Sequence, residues 1–440
     1  MTSVGLFNNR RHFMKSCSWM AGAVALPTIV SSRALGLGND IAPSNKITVG
    51  CIGVGGMGVS NMKKFLELKD AQVVAVCDVS LDKRANAKRL VDEKYGDSGC
   101  ESIEDFRELL TRTDIDAVSI AAPDHWNAFI AVAAARAGKD MYCEKPMGVS
   151  LDQGQAIRKA VREGNRVFQA GTWQRSQAHF RQACEIARNG YLGKIHTVEV
   201  STDGPQFKAG YKGPKTVQPT PPIPDGFNWK LWQGPAPDRE YHPALHSGDW
   251  FLINDYSNGF IVNWGVHHLD IALWGLPELG TQPFDVECLA TYRQEGFTDN
   301  VNQWNATFTY RNGLKLIFKD QYQMKTGCRF YGENGWVHTD RPGIEGAPNS
   351  NLKIELKSSD QSLYKSDHHQ GNFIDCVRTR KDPISDVDAT LTASYMGMLA
   401  DVAAKLKTKL TWDPKAERFV DHDAANAMLN RPAHNGWSLS

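Results

Sequence analysis

The 440-residue sequence has almost no net charge, because 50 lysines and arginines stand against 49 aspartates and glutamates. Nucleic acids and anionic membrane surfaces select a strongly basic face, so neither is expected as a partner. The chain also lacks a long apolar run. The nearest candidate, Trp19 to Val30, is too short and too interrupted by Gly22 and Pro27 to cross a bilayer, so no membrane span is expected. Nine cysteines, at positions 17, 51, 77, 100, 143, 184, 288, 328 and 376, form no C-x-x-C and no Cys/His pair at zinc spacing. No metal centre is therefore expected, and buried thiols are favoured over a disulfide framework. What remains is a chain 41% hydrophobic, long enough for two domains with sizeable cores, for which exclusion leaves a small-molecule ligand.

The most informative stretch is Lys46 to Gly58, KITVGCIGVGGMG. A short β-branched strand runs straight into Gly53-Val54-Gly55-Gly56-Met57-Gly58, the G-x-G-x-x-G spacing of a dinucleotide-binding turn. Gly53 allows a tight turn, Gly55 lets backbone N–H groups approach a pyrophosphate, and Gly58 lets the following helix pack close to the strand. Gly56 and Met57 complete the turn, and the helix N-terminus faces the phosphates. A second strand, Gln72 to Cys77, ends in Asp78, about twenty residues beyond Gly58, where a carboxylate can accept hydrogen bonds from both ribose hydroxyls. A carboxylate there repels a 2′-phosphate and favours NAD over NADP, although Lys83 and Arg84 stand near enough to fold over a phosphate.

From Lys46 to about Thr172 strands alternate with helices, which predicts a doubly wound parallel α/β domain. A helix is expected to open with Ser102 and Asp105 at capping-box spacing, and Asp116 to Ala122 reads as a parallel strand covered on both faces. After Gly171 the period changes to long alternating runs, Ile195 to Thr202, Val286 to Arg293, Trp304 to Tyr310 and Leu314 to Asp320, with Arg311-Asn312-Gly313 as a hairpin turn. Leu352 to Leu356 reads as a further strand. Residues 173–406 are thus expected to form an α+β domain with a mostly antiparallel sheet, and residues 407–440 a C-terminal tail. The Pro- and Trp-rich stretch Gly204 to Asp255 is expected to be an irregular binding lid.

Two loops at strand ends line the expected cofactor crevice: Ala122-Pro123-Asp124-His125-Trp126-Asn127 and Cys143-Glu144-Lys145-Pro146. The glycine turn followed by P-D-H-W and then E-K-P resembles the glucose–fructose oxidoreductase, inositol dehydrogenase and rhizopine-catabolism (Gfo/Idh/MocA) family over roughly Asn45 to Leu406. The resemblance places Lys145 beside the nicotinamide and in contact with the reacting hydroxyl. It places His267, in Asn263-Trp264-Gly265-Val266-His267-His268-Leu269-Asp270, as the group that takes the hydroxyl proton. The family pattern has an acidic residue four before that histidine; this chain has Asn263, one helical turn below His267 if one helix spans both. His268 is the packing member of the pair. Asn127 stands where histidine follows in the pattern.

Residues 1–36, with Arg10-Arg11 ahead of the mild apolar run and a small-residue exit near Ala34, resemble a twin-arginine export signal; residues 37–45 read as a linker. That route carries folded proteins, so the cofactor would be loaded before export and the protein would act in the periplasm or outside the cell. Together these features point to an exported NAD(P)-dependent oxidoreductase, with NAD favoured over NADP, acting on a sugar, sugar derivative or cyclitol, pairing with its own kind through the C-terminal sheet. Two alternatives stay open: a redox-assisted lyase or glycosidase that recycles its NAD in place, and a non-catalytic sugar-binding protein that keeps the nucleotide.

Overall fold

The computed structural model describes residues 42, 45–204, 221–246, 248–292 and 298–440. The export-signal residues and most of the linker lie outside them. Residues 47–440 form one compact unit.

The first half holds six strands, β1 (Ile47–Ile52), β2 (Ala71–Cys77), β3 (Glu101–Ile103), β4 (Ala117–Ile120), β5 (Asp140–Cys143) and β6 (Phe168–Ala170). They lie in the order β3-β2-β1-β4-β5-β6, every pair parallel. Both β4 and β5 are buried at every position, as strands sandwiched between helix layers must be. Strand order reverses between β1 and β4, and that switch opens a crevice at their C-terminal ends. The glycine turn sits there. Gly53 has φ +77°, and a Cβ on it would come within 2.6 Å of the Ala121 carbonyl oxygen; a Cβ on Gly58 would come within 1.8 Å of the Gly53 carbonyl oxygen. Both positions therefore require glycine.

The second half is a nine-stranded sheet of β7 (Ile195–Thr202), β8 (Phe284–Tyr292), β9 (Val301–Tyr310), β10 (Lys315–Asp320), β11 (Gly327–Gly332), β12 (Gly335–Asp340), β13 (Gly343–Ala347), β14 (Leu410–Asp413) and β15 (Arg418–Phe419). Its order is β13-β12-β11-β7-β10-β9-β8-β14-β15, antiparallel except where β7 meets β10. Alternation decides its faces: Trp304, Ala306, Phe308 and Tyr310 of β9 point into the core, while Asn305, Thr307 and Thr309 point the other way. Helices Ala178–Arg188, Gly265–Gly275 and Val387–Leu406 cover the core face. The last is capped by Asp386, whose carboxylate accepts from the backbone of Asp388 and Ala389. Arg175 and Asp270 are tied by a buried, bidentate ion pair at 2.6 and 2.7 Å. Loss of either partner would strand a charge in the core, at a cost of about 3–5 kcal/mol.

The two halves share a late segment. Helix His369–Thr379 returns to the nucleotide half, where Phe373 meets Phe65 and Tyr142 edge to face at 6.1 and 6.2 Å.

Several expectations are corrected. Ser102 does not cap a helix, because it is held in the parallel ladder opposite Val76; Asp105 alone caps helix Phe106–Thr111, accepting from Arg107 N. Leu352 to Leu356 is not a strand. Pro348 ends β13 at the edge of the sheet, and a 3₁₀ turn, Asn349–Lys353, follows. Residues 407–440 are no tail: they supply β14 and β15, and Trp437 then packs on Phe106 and Trp126. Within the stretch expected to be an irregular lid, residues 205–220 and 247 lie outside the described residues. The rest carries a small core of its own, in which Trp229 and Trp232 stack at 4.9 Å beside Tyr241, Leu245 and Tyr256. It is anchored to the nucleotide half where the Trp232 carbonyl accepts from Trp126 Nε1 at 2.8 Å.

Candidate active site

A cavity of about 620 Å³ runs from the glycine turn, past Asp78, to Lys145 and Asn263, roofed by Trp232, Trp250 and Phe251 of the partly helical insertion.

At the nucleotide end the residues fit a dinucleotide. A Cβ on Gly56 would meet nothing within 4 Å and one on Gly55 would meet only Lys83 Nζ, at 3.9 Å, so the turn presents open backbone to the cavity. The helix Gly56–Glu67 begins there with its N–H groups facing the opening. Asp78 is anchored by Val54 N at 3.0 Å and Ser80 N at 2.9 Å; its carboxyl is pushed up by burial, an effect opposed first by Lys83. Arg84 is not available to a 2′-phosphate in this arrangement, since its guanidinium bonds the Asp78 carbonyl at 3.1 Å and the Glu104 carboxylate at 3.2 Å. Lys83 lies over the glycine turn instead. Met57 lines the same mouth and is half exposed, and Pro123 starts helix Asp124–Arg136 on the opposite wall. Gly53 forms the floor, whereas Gly58 does not line the cavity and acts by letting the helix close on the strand.

At the other end four residues form a chain of hydrogen bonds. Lys145 Nζ donates to both the carbonyl and the side-chain oxygen of Asn263, each at 3.0 Å. Asn263 Nδ2 donates to the Asp124 carboxylate at 2.8 and 3.0 Å, and Ser257 Oγ donates to the same carboxylate at 2.7 Å. Burial raises the Asp124 carboxyl to about 6, against the opposing pull of Lys145, Ser257 and Asn263. Glu144 is likewise buried and pushed up, and accepts from Asn61 Nδ2 at 2.9 Å.

Asn263 is not the orienting partner of His267. The two belong to separate helices, Phe260–Asn263 and Gly265–Gly275, broken at Trp264, and the amide of Asn263 is spent on Lys145 and Asp124. His267 is buried behind Lys145 and, like His125, is not among the residues that line the cavity; its Nδ1 has no hydrogen-bond partner among the described residues, and its pKa is held well below the usual value by burial and then by Lys145 and Arg341. It is a neutral base near pH 7. His268 packs as expected, with Nε2 3.4 Å from Asp340 Oδ1 and a pKa pushed to about 3 by burial.

His125 departs from its expected place. Its Nε2 meets the Trp232 carbonyl at 3.1 Å and its ring packs against Tyr256 and Trp232, outside the cavity, so it braces the roof and does not face the cofactor space. Asn127 has a role of its own: Nδ2 donates to the Pro146 carbonyl at 2.9 Å and clips the E-K-P loop in place. Sequence reasoning missed Asn61, Ser257 and the bond between Asn263 and Asp124. Only the N-terminal position of Asp124 on its helix hinted at a structural demand for a carboxylate.

Comparison with known proteins agrees with this geometry. Residues 47–172 match the family model described as "Oxidoreductase family, NAD-binding Rossmann fold", and residues 176–439 match its "C-terminal alpha/beta domain". A glycosyl hydrolase family 109 protein 2 of Shewanella sp. (strain ANA-3) is 31% identical over 33% of this chain and 35% of its own. The myo-inositol 2-dehydrogenase of Thermotoga maritima is 26% identical over 36% of this chain and 45% of its own. The chain thus spans less than half the length of these curated relatives. Among solved structures, an aldose-aldose oxidoreductase from Caulobacter crescentus, complexed with glycerol, shares the fold at a TM-score of 0.59 and 20% identity, covering 84% of this chain and 99% of its own.

Proposed function

We propose, from the premise that this chain belongs to the Gfo/Idh/MocA oxidoreductase family, that it oxidises a carbinol carbon of a sugar, sugar derivative or cyclitol. NAD, when bound, supplies the hydride acceptor. Gly55, Gly56 and Lys83 would hold its phosphates and Asp78 its ribose.

The remaining chemistry belongs to the chain. Lys145 presents an ammonium at the end of the cavity opposite Asp78 and polarises the substrate oxygen. Asn263 fixes that ammonium with two bonds, and Asp124 supplies, one residue further back, the negative charge that Asn263 itself lacks. His267, neutral and without a partner for Nδ1, takes the hydroxyl proton while the carbon becomes a carbonyl. The observation that carries the reading is the Lys145–Asn263–Asp124–Ser257 chain at the end of the cavity, with the buried, neutral His267 near enough to feel the Lys145 charge.

The test is a panel of polyols and cyclitols added to the NAD-loaded protein, followed at the nicotinamide absorbance. Net reduction with at least one member, abolished in Lys145→Ala, is expected. The family 109 relatives favour a second reading, in which cofactor reduction is reversed within each turnover. Product without net reduction would select it.

Export is part of the proposal and rests on Arg10 and Arg11 with the apolar run that follows. Replacing both with lysine should leave folded, NAD-loaded protein in the cytoplasm. Normal export of that variant would remove this part. Self-association through the open face of the second sheet is proposed on the same footing.

A further inference from the structure

Arg341 stands in the turn between β12 and β13, its guanidinium 5.3 Å from the Trp173 ring and 5.0 Å from the Trp264 ring. Two indoles holding one planar cation restrict its torsional freedom and leave its N–H edge as the direction for hydrogen bonding. Among the described residues nothing accepts from that edge. The acid next to it, Asp340, is turned to His268 at 3.4 Å, and Asp203 is felt at Asp340. Arg341 is exposed and both indoles are half-buried, so the group is a wall open to a ligand.

None of these three residues lines the cavity itself, but the group is tied to its reacting end through Trp264. Trp264 is the break between the helices that carry Asn263 and His267, and its ring lies 6.2 Å from the His267 ring, edge on. Trp173 follows β6, beside the loop that carries Glu144 and Lys145. The charge of Arg341 also reaches His267, where it helps to keep the imidazole neutral.

We propose that Arg341, pinned between Trp173 and Trp264, is a subsite for the carboxylate of an acidic sugar, so that the substrate of the reaction proposed above is a uronic or aldonic acid. The inference rests on that reading for the reaction, though not for the binding. A planar guanidinium fork matches a planar carboxylate through two parallel N–H···O bonds. Bound in this way, the acid group would fix which hydroxyl faces Lys145 and His267.

The test titrates the NAD-loaded full-length protein by tryptophan fluorescence with D-glucuronate, D-galacturonate and D-gluconate, their parent sugars D-glucose and D-galactose, and glucose 6-phosphate. At least one acid should bind about 10- to 100-fold more tightly than its parent sugar. Arg341→Gln should erase that preference without loss of retained NAD, and Arg341→Lys should keep part of it, as a point charge without the fork. No acid preferred over its parent, or a preference that survives Arg341→Gln, overturns the subsite. Tightest binding by glucose 6-phosphate overturns the carboxylate assignment. Because binding is read without turnover, an acid that binds but is never oxidised counts against the proposed reaction and leaves the subsite standing.

Discussion

Asp124→Asn should make the protein more stable and less active. The Asp124 carboxyl is 1% exposed and its pKa rises from an ordinary 3.8 to about 6, chiefly through burial. A carboxyl raised in the folded state binds its proton more tightly there than in the unfolded chain. Below 3.8 both states are protonated and nothing is lost; between 3.8 and 6 stability falls as pH rises; above 6 the full cost is present. At about 1.4 kcal/mol per pKa unit the shift corresponds to roughly 3 kcal/mol. An asparagine keeps an oxygen to accept from Ser257 and Asn263, so most of the local hydrogen bonding survives while the buried charge is removed. Urea unfolding of both proteins across this range should show wild type losing about 2.4 kcal/mol relative to the variant between pH 4 and 7, the rest of the shift falling below pH 4. The variant should turn over more slowly, because the hydrogen-bond chain behind Lys145 loses its negative charge. Parallel stability curves from pH 4 to 7 would refute the account of Asp124 as a buried carboxylate retained at a cost for Lys145.

Asp78→Ala should weaken NAD binding by about 1–3 kcal/mol, the usual loss when hydrogen bonds to a charged acceptor go, and should affect NADP less. Unchanged NAD affinity, measured by calorimetry, would remove Asp78 as the ribose ligand. His267→Ala should reduce turnover by about 10²–10⁴ while sparing NAD binding. Since burial and neighbouring cations hold His267 neutral well below its usual pKa, its protonation should not limit wild-type oxidation near pH 6.5; an acidic limb there that disappears only in His267→Ala would contradict the neutral assignment.

The glycine turn, the parallel strands and the E-K-P loop were legible because each is local: strand, turn and ligand-facing residue follow one another along the chain. The site's charge pattern was not. Asp124 and Asn263 are 139 positions apart, and nothing in P-D-H-W says that an amide will arrive there in place of a ligand. Adjacent residues on a helix diverge by about 100°, so Asp124 faces the cavity while its neighbour His125 faces the insertion. The two look equivalent in a motif. Asn263 and His267 show the opposite failure, for four-residue spacing implies a shared face only along an unbroken helix, and Trp264 breaks it. Residues 407–440 were misread because β14 is four residues long and gains its place by pairing, with the distant β8 on one side and the two-residue β15 on the other.

Helix His369–Thr379 sets an order on synthesis. The surface it covers, Phe65 and Tyr142, is translated far earlier, and the bond from Gln169 Nε2 to the His369 carbonyl joins residues 200 positions apart. A ribosome that has made only the nucleotide-binding strands holds a half-clad sheet whose aromatics stay bare until the covering helix emerges. Cutting the chain after residue 172 would yield an aggregating fragment in place of a portable NAD-binding module.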